Sequence, residues 1–221
     1  MKKSVWLCVV MLLVVSLSLI GCGGEKKGTT ETTAKQESLT DLLAKGRNLP
    51  GLAYDFSTSG QGMAMNGKMW VSGQNMKTET VMQGQKLIMI IDGAHNVVYN
   101  YMPEQNMAMK IAYDPTKVTK TPEQINKELD PAKAKLLETA TYDGVKCKVV
   151  QLQEPDGQTQ TKMWIREDYG LPVRVELSDS QGNKTVMEYK NLKVGAIPAE
   201  MFVLPAGVPV TDMSDMLKQL S

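Results

Sequence analysis

One histidine, three cysteines and 16 methionines are the side chains of this 221-residue chain best able to do chemistry, together with a few paired carboxylates. A zinc site or a Ser-His-Asp relay needs histidine or cysteine in company. His95 stands alone, inside Asp92-Gly93-Ala94-His95-Asn96, a stretch that reads as a hairpin turn. Cys147 lies between Lys146 and Lys148, and neighbouring cations can lower a thiol pKa. In a strand, however, alternation sends both lysines to the face opposite the thiol and puts Cys147 in phase with Val145 and Val149, which predicts a buried structural cysteine. Glu167-Asp168 and the pair Asp212 and Asp215 fit turns and helix caps. No glycine-rich phosphate loop with its lysine is present. These readings point away from an enzyme and from any cofactor. Methionine offers a thioether, a soft ligand suited to Cu(I). Met63-Ala64-Met65 and Met107-Ala108-Met109 each present two thioethers on one strand face, but neither brings a third ligand, so no metal site is expected.

Cys22 differs in its setting. Lys2 and Lys3 precede an apolar run of roughly 16 residues, Val5 to Ile20, which ends at Leu19-Ile20-Gly21-Cys22 and gives way to glycine and charge. This is the layout of a signal peptide, assigned to residues 1–21. The run falls short of the roughly 20 residues that a membrane-crossing helix needs. Leu-Ile-Gly-Cys resembles the lipobox of bacterial lipoproteins. That resemblance implies that the Cys22 thiol takes a diacylglyceryl group, with palmitate-like chains, and becomes the new N-terminus. Each buried methylene adds about 0.8 kcal/mol to anchoring, and one chain alone holds only marginally, so two or three make the attachment durable. The expected location is the extracytoplasmic face of the cell membrane, or the outer membrane in a diderm source.

Processing leaves little net charge. Loss of Lys2 and Lys3 from 25 basic against 24 acidic side chains brings the balance to about −1. Nucleic-acid binding needs an excess or stripe of positive charge, so no nucleic-acid partner is expected. Cys8 would leave with the signal peptide and Cys22 would be a thioether, so Cys147 has no disulfide partner even in an oxidising compartment. Residues 22–37, the lipidated N-terminus and a tether of Gly, Lys, Thr and Glu, have almost nothing apolar to bury and read as disordered. About 15 such residues reach on the order of 20 Å. Residues 38–221 suffice for one domain with a substantial core.

Ser38 reads as the N-cap of a short helix with Leu39, Leu42 and Leu43 on one face, ending near Gly46. From Leu52 the pattern has period two. Runs at Met76 to Met82, Leu87 to Asp92, Val97 to Met102 and Met107 to Ile111, separated by polar or glycine-bearing breaks, predict an antiparallel meander. Thr121-Pro122-Glu123 opens a helix with a cap, a first-turn proline and an acid near its positive end, and Pro131 to Glu138 reads as a further helical turn or two. The sheet resumes at Val145 to Leu152, Gln160 to Arg166, Val173 to Leu177 and Thr185 to Asn191. A sheet this wide with so few helices is strongly curved or closed, in an all-β or α+β fold. Ile88 and Ile90 make the second face of their strand apolar too, which predicts that helices or a partner cover the back of the sheet.

Lys-Met-Trp followed by Val or Ile occurs twice, at Lys68 to Val71 and at Lys162 to Ile165. In both copies the Met shares parity with the β-branched residue, and the Trp falls on the opposite face with the lysine. A strand alternating charge with apolar residues follows each, carrying Lys77 and Glu79 in one case and Arg174 and Glu176 in the other. The reading is two hairpins of one construction in one sheet, too far apart for a solenoid repeat.

The order of lipobox, polar tether, helix, GKMWVSGQNMKTET, LIMIIDGAHNVVYNYMPEQNMAMK, helical insertion and TKMWIREDYGLPVRVELSDSQGNKTVMEYKNL, with IPAEMFVLP near the end, resembles the LolA-like lipoprotein-sorting family over roughly Leu39 to Val210. The resemblance implies an α+β, mainly antiparallel fold: an unclosed, curved β-barrel of about 9–11 strands with helices packed on its concave face and an apolar cavity for acyl chains. The family includes soluble lipoprotein carriers, lipoprotein acceptors, lipid-binding lipoproteins, sensors of envelope lipoproteins and lipoproteins of spore germination. An anchor at Cys22 sets this chain apart from the soluble carriers.

Parity places Met63, Met65, Met69, Met82, Met89, Met107, Met109, Met163 and Met187 where they could line that inner face. Methionine is flexible and polarizable and accommodates varied apolar ligands. It also fills gaps in ordinary cores. Two function classes follow: a membrane-tethered binder of lipid or of an acylated lipoprotein, or a non-enzymatic envelope interaction protein, for example in sporulation or germination, whose cavity is filled and whose partner is another protein or a second copy.

Overall fold

The computed structural model describes residues 37–153 and 157–213; the signal peptide, Cys22, the tether through residue 36, and Asp215 lie outside the described residues. Ser38 accepts a hydrogen bond from the Asp41 backbone N–H and opens α1, Leu39–Ala44. Six strands follow: β1 Leu52–Gly60, β2 Met63–Ser72, β3 Asn75–Met82, β4 Gln85–Asp92, β5 Val97–Met102 and β6 Met107–Ala112. Thr121 then opens α2, Pro122–Glu128, through a capping box: its hydroxyl accepts from the Gln124 N–H while the Gln124 side chain accepts from the Thr121 N–H. The second run is β7 Ala134–Tyr142, β8 Val145–Gln153, β9 Gln160–Arg166, β10 Pro172–Ser178 and β11 Lys184–Val194, with β12 Val210–Asp212 near the end.

The twelve strands of the described residues form one sheet in the order β12-β6-β5-β4-β3-β2-β1-β11-β10-β9-β8-β7. Each run is a meander of antiparallel neighbours, and the two meanders meet only where β1 pairs with β11. β12 adds in parallel to β6. The terminal strands β12 and β7 do not pair with one another, so the barrel is unclosed. The two Lys-Met-Trp hairpins match in register: Trp70 opposes Lys77 and Lys68 opposes Glu79, as Trp164 opposes Arg174 and Lys162 opposes Glu176.

The main core fills the concave face, where Leu42 and Leu43 of α1 meet Leu52, Tyr54, Met69, Ile165 and Val175 of the sheet. Buried Asn126 fastens α2 there by donating from Nδ2 to the carbonyls of Leu43 and Gly170. Gly170 has φ of +63°, and a Cβ there would lie 2.0 Å from the Leu42 carbonyl oxygen. Only glycine permits both the left-handed backbone and that approach. A second cluster, Ile88, Ile90 and Phe202 with Trp70, Tyr99, Ile197 and Leu204, lies on the convex face. The cover that Ile88 and Ile90 call for is thus the chain's own C-terminal segment, including the 3-10 turn Ala199–Phe202.

Two expectations need correction. Pro131 to Glu138 is not helical beyond the 3-10 turn Pro131–Lys133, because β7 begins at Ala134. Its register against β8 slips between Leu136 and Glu138, a bulge that hides the alternation on which a strand reading depends. The described residues form twelve strands against the expected 9–11 or so, with β7 and the three-residue β12 the elements not foreseen.

Candidate ligand-binding face

Among the described residues, two cavities with mainly apolar walls stand out along the concave face. The larger, about 400 Å³, lies between α2 and the second meander. Its apolar walls are Ile125, Leu129, Leu152, Met163, Val175, Leu177 and Met187, and charged side chains Lys120, Glu128, Asp130 and Lys133 stand around them. Val175 opposes both Met163 of β9 and Met187 of β11, so the floor is one row across three strands. The smaller cavity, about 150 Å³, belongs to the first meander and is lined by Tyr54, Phe56, Met65, Met69, Met76, Met82, Leu87 and Met89, with Thr58, Thr78, Thr80, Asn100 and Thr119. Lys120 borders both cavities.

Tyr54 and Tyr189 stand at the seam between the meanders, edge to face with centroids 5.5 Å apart. The Tyr54 hydroxyl donates to the Met69 sulfur at 2.8 Å. Burial pushes both phenols well above the usual tyrosine range, so they stay protonated donors at any physiological pH. Charge at the larger cavity is paired within the 120–133 segment: Lys120 with Glu128, and Lys133 with Asp130 at 4.0 Å.

The structure distributes the methionines unequally. Met65, Met69, Met82 and Met89 line the smaller cavity, together with Met76. Met163 and Met187 line the larger. Met107 and Met109 share the concave face, as register opposite Met102 and Asn100 requires, but line neither cavity. Met63 is 75% exposed near the tip of the β1–β2 hairpin and also lines neither. The two Met-Ala-Met pairs stand on β2 and β6, with β3, β4 and β5 between them.

Noncovalent binding is the chemistry this arrangement supports. Burial pushes the Cys147 thiol up to about 11, which leaves it neutral and a poor nucleophile. Exposed His95 holds its Nδ1 2.7 Å from Asp92 Oδ2 in the β4–β5 turn. Among the described residues no group of three or more His, Cys, Asp or Glu is placed to hold a metal ion. Sequence reasoning missed Lys120, Ile125 and Leu129 as cavity residues. Their signal was the amphipathic start of α2, but only the fold shows which face of the sheet it covers.

No protein-family model and no curated protein sequence matches the chain. Solved structures do match. An uncharacterized conserved protein from Thermus thermophilus aligns with a TM-score of 0.53 and 11% identity, over 79% of this chain and 96% of that one. MucB aligns with a TM-score of 0.54 and 15% identity, over 76% of this chain, which spans 62% of MucB. A LolA superfamily protein from Nitrosomonas europaea also matches, with a TM-score of 0.37 and 12% identity, over 76% and 98% of the two chains. Identities this low speak to fold alone, and the architecture seen here, an unclosed antiparallel β-barrel with helices in its concavity, is the one that the sequence resemblance implies.

Proposed function

We propose that the chain is an extracytoplasmic lipoprotein, held at the membrane through lipid on Cys22, that binds lipid or the acylated end of another lipoprotein without catalysing a reaction. The observation that carries this reading is the 400 Å³ cavity with apolar walls and Lys120 and Lys133 beside it. Its volume falls near the low end of the roughly 300–1,000 Å³ typical of small-ligand sites, which suits one acyl chain rather than three. The two lysines favour an anionic or strongly polar head at the mouth, where they would exchange Glu128 and Asp130 for the ligand.

Native mass spectrometry after mild extraction, together with titration of a fluorescent fatty acid, tests the reading. The expected result is co-purifying lipid and saturable binding, lost in Leu177→Trp, which fills the cavity from its wall. A lipid-free protein that binds no probe would sink the proposal. A second reading, an envelope interaction protein with a protein partner, rests on exposed Met63, Val81 and Met82 near neighbouring hairpin tips. Light scattering after size-exclusion chromatography distinguishes a self-associating form from a monomer.

A further inference from the structure

The smaller cavity contains a hydroxyl that the protein itself does not satisfy. Thr78 is 7% exposed, and its Oγ1 has no hydrogen-bond partner among the described residues. Register explains why: Thr78 sits between Met69 of β2 and Met89 of β4, with Met76 two residues before it on the same face. Thioether sulfur is a weak acceptor at best, and the Met69 sulfur already accepts from Tyr54. A buried hydroxyl left unpaired destabilises a protein unless something else uses it.

We propose that the smaller cavity is a subsite for the carbonyl end of an acyl ligand, with Thr78 Oγ1 as the hydrogen-bond donor to the carbonyl oxygen. This rests on the lipid-binding reading above and assigns the polar part of the ligand within it. A cavity of about 150 Å³ accepts a group the size of a benzene ring, too small for a full acyl chain. With the head held at Lys120, common to both cavities, the adjoining carbonyl reaches into the methionine-lined space while the tail occupies the larger cavity. Flexible thioethers around the Thr78 hydroxyl tolerate esters and amides alike.

The test pairs Thr78→Val, which keeps shape and removes the hydroxyl, with two probes of equal length: a fatty acid methyl ester and the corresponding alkane, each displacing a fluorescent fatty acid. The wild-type chain should prefer the ester by about five- to tenfold, the effect of one neutral hydrogen bond. Thr78→Val should erase that preference and leave alkane affinity unchanged, and Thr78→Ser should restore it. Without ligand, Thr78→Val should unfold a few degrees higher, on the order of 2–4 °C, because an unpaired buried group is gone. Retained ester preference in Thr78→Val overturns the subsite, as does a lowered or unchanged midpoint, which would mean that water or protein already serves the hydroxyl. Failure of the wild type to bind either probe would instead overturn the lipid-binding reading on which the subsite rests.

Discussion

The two Lys-Met-Trp hairpins are built alike and finished differently. Inward, Met69 of β2–β3 contributes to a small cavity with hydroxyls in it, and Met163 of β9–β10 to a larger one with charges around it. Outward, half-buried Trp70 packs against the C-terminal segment in an apolar cluster with Phe202, and Lys77 Nζ lies 5.5 Å from its ring. Trp164 lies under two cations and, among the described residues, joins no such apolar cluster, with Lys162 Nζ 4.8 Å and the Arg174 guanidinium 5.4 Å from its ring. Arg174 is held in turn by Glu176 and Glu188, and Glu188 accepts from Tyr142. The same tryptophan register is therefore covered once mainly by an apolar segment, with a single lysine beside it, and once by an electrostatic network alone. The first relies on a distant segment of chain. The second is assembled from strands already at hand.

If the two covers differ in kind, the largest effect comes from removing the apolar one. Phe202→Ala should lower unfolding free energy by about 3–5 kcal/mol in urea titration. It should also raise the emission wavelength of Trp70. A loss under about 1 kcal/mol would mean that the segment only rests on the sheet. Next in size is Gly67, whose counterpart in the second hairpin is Thr161. A Cβ at Gly67 would lie 2.2 Å from the Glu79 carbonyl oxygen and 2.9 Å from the Phe56 ring. Gly67→Ala should therefore destabilise by about 1–3 kcal/mol through overpacking, a penalty that Thr161→Ser does not share. Arg174→Ala, which uncovers Trp164, should cost about 1–2 kcal/mol, less in high salt than in low. Phe202→Ala should show no such salt dependence.

The smallest effect is one of pH. The hydrogen bond from Tyr142 holds the Glu188 carboxyl below its ordinary value, with Lys190 and Arg174 adding to the same direction. The unfolded chain therefore binds the proton first as pH falls. Glu188 contributes its full stabilisation above the ordinary carboxylate range and loses it as pH drops through the folded value. Glu188→Gln should flatten the acid limb of a stability–pH curve between about pH 5 and 3 and leave the curve above about pH 7 parallel to wild type. Steepening of that limb would mean that the carboxylate is repelled rather than held. Phe202 itself does not titrate, so the cost of Phe202→Ala should be flat across the same range.

Much of this was legible from residues alone because period-two alternation survives wherever both neighbours of a strand are regular. β5 and β9 match their sequence-predicted limits, and the shared parity of Met69 and Val71, or Met163 and Ile165, places the concave face. The legible part fails where geometry is set from outside the segment. β7 was hidden by its bulge and by a helix-like Ala-Lys-Leu composition, which pairing with β8 overrides. The apolar back of β4 announced a cover, but nothing local says that it is Ile197 to Leu204 of the same chain. The shape of the larger cavity depends on where α2 docks, and that is fixed by Asn126 reaching carbonyls 83 and 44 residues away. Lipid on Cys22 and the tether remain readings of sequence, since they lie outside the described residues.

The meeting of β1 and β11 has a consequence for how the chain finds its structure. Every other antiparallel pairing joins strands adjacent in sequence, so each meander can zip from hairpin to hairpin with short loops to close. Leu52 and its partner Val194 must meet across most of the chain, and loop closure of that length is the slow kind of step. Folding is therefore expected to run as two semi-independent halves, each carrying its own Lys-Met-Trp hairpin, followed by a late docking at the Tyr54–Tyr189 contact. Until then β1 and β11 are both open edges, and the interval before they join is when the chain is most exposed to pairing with another copy of itself.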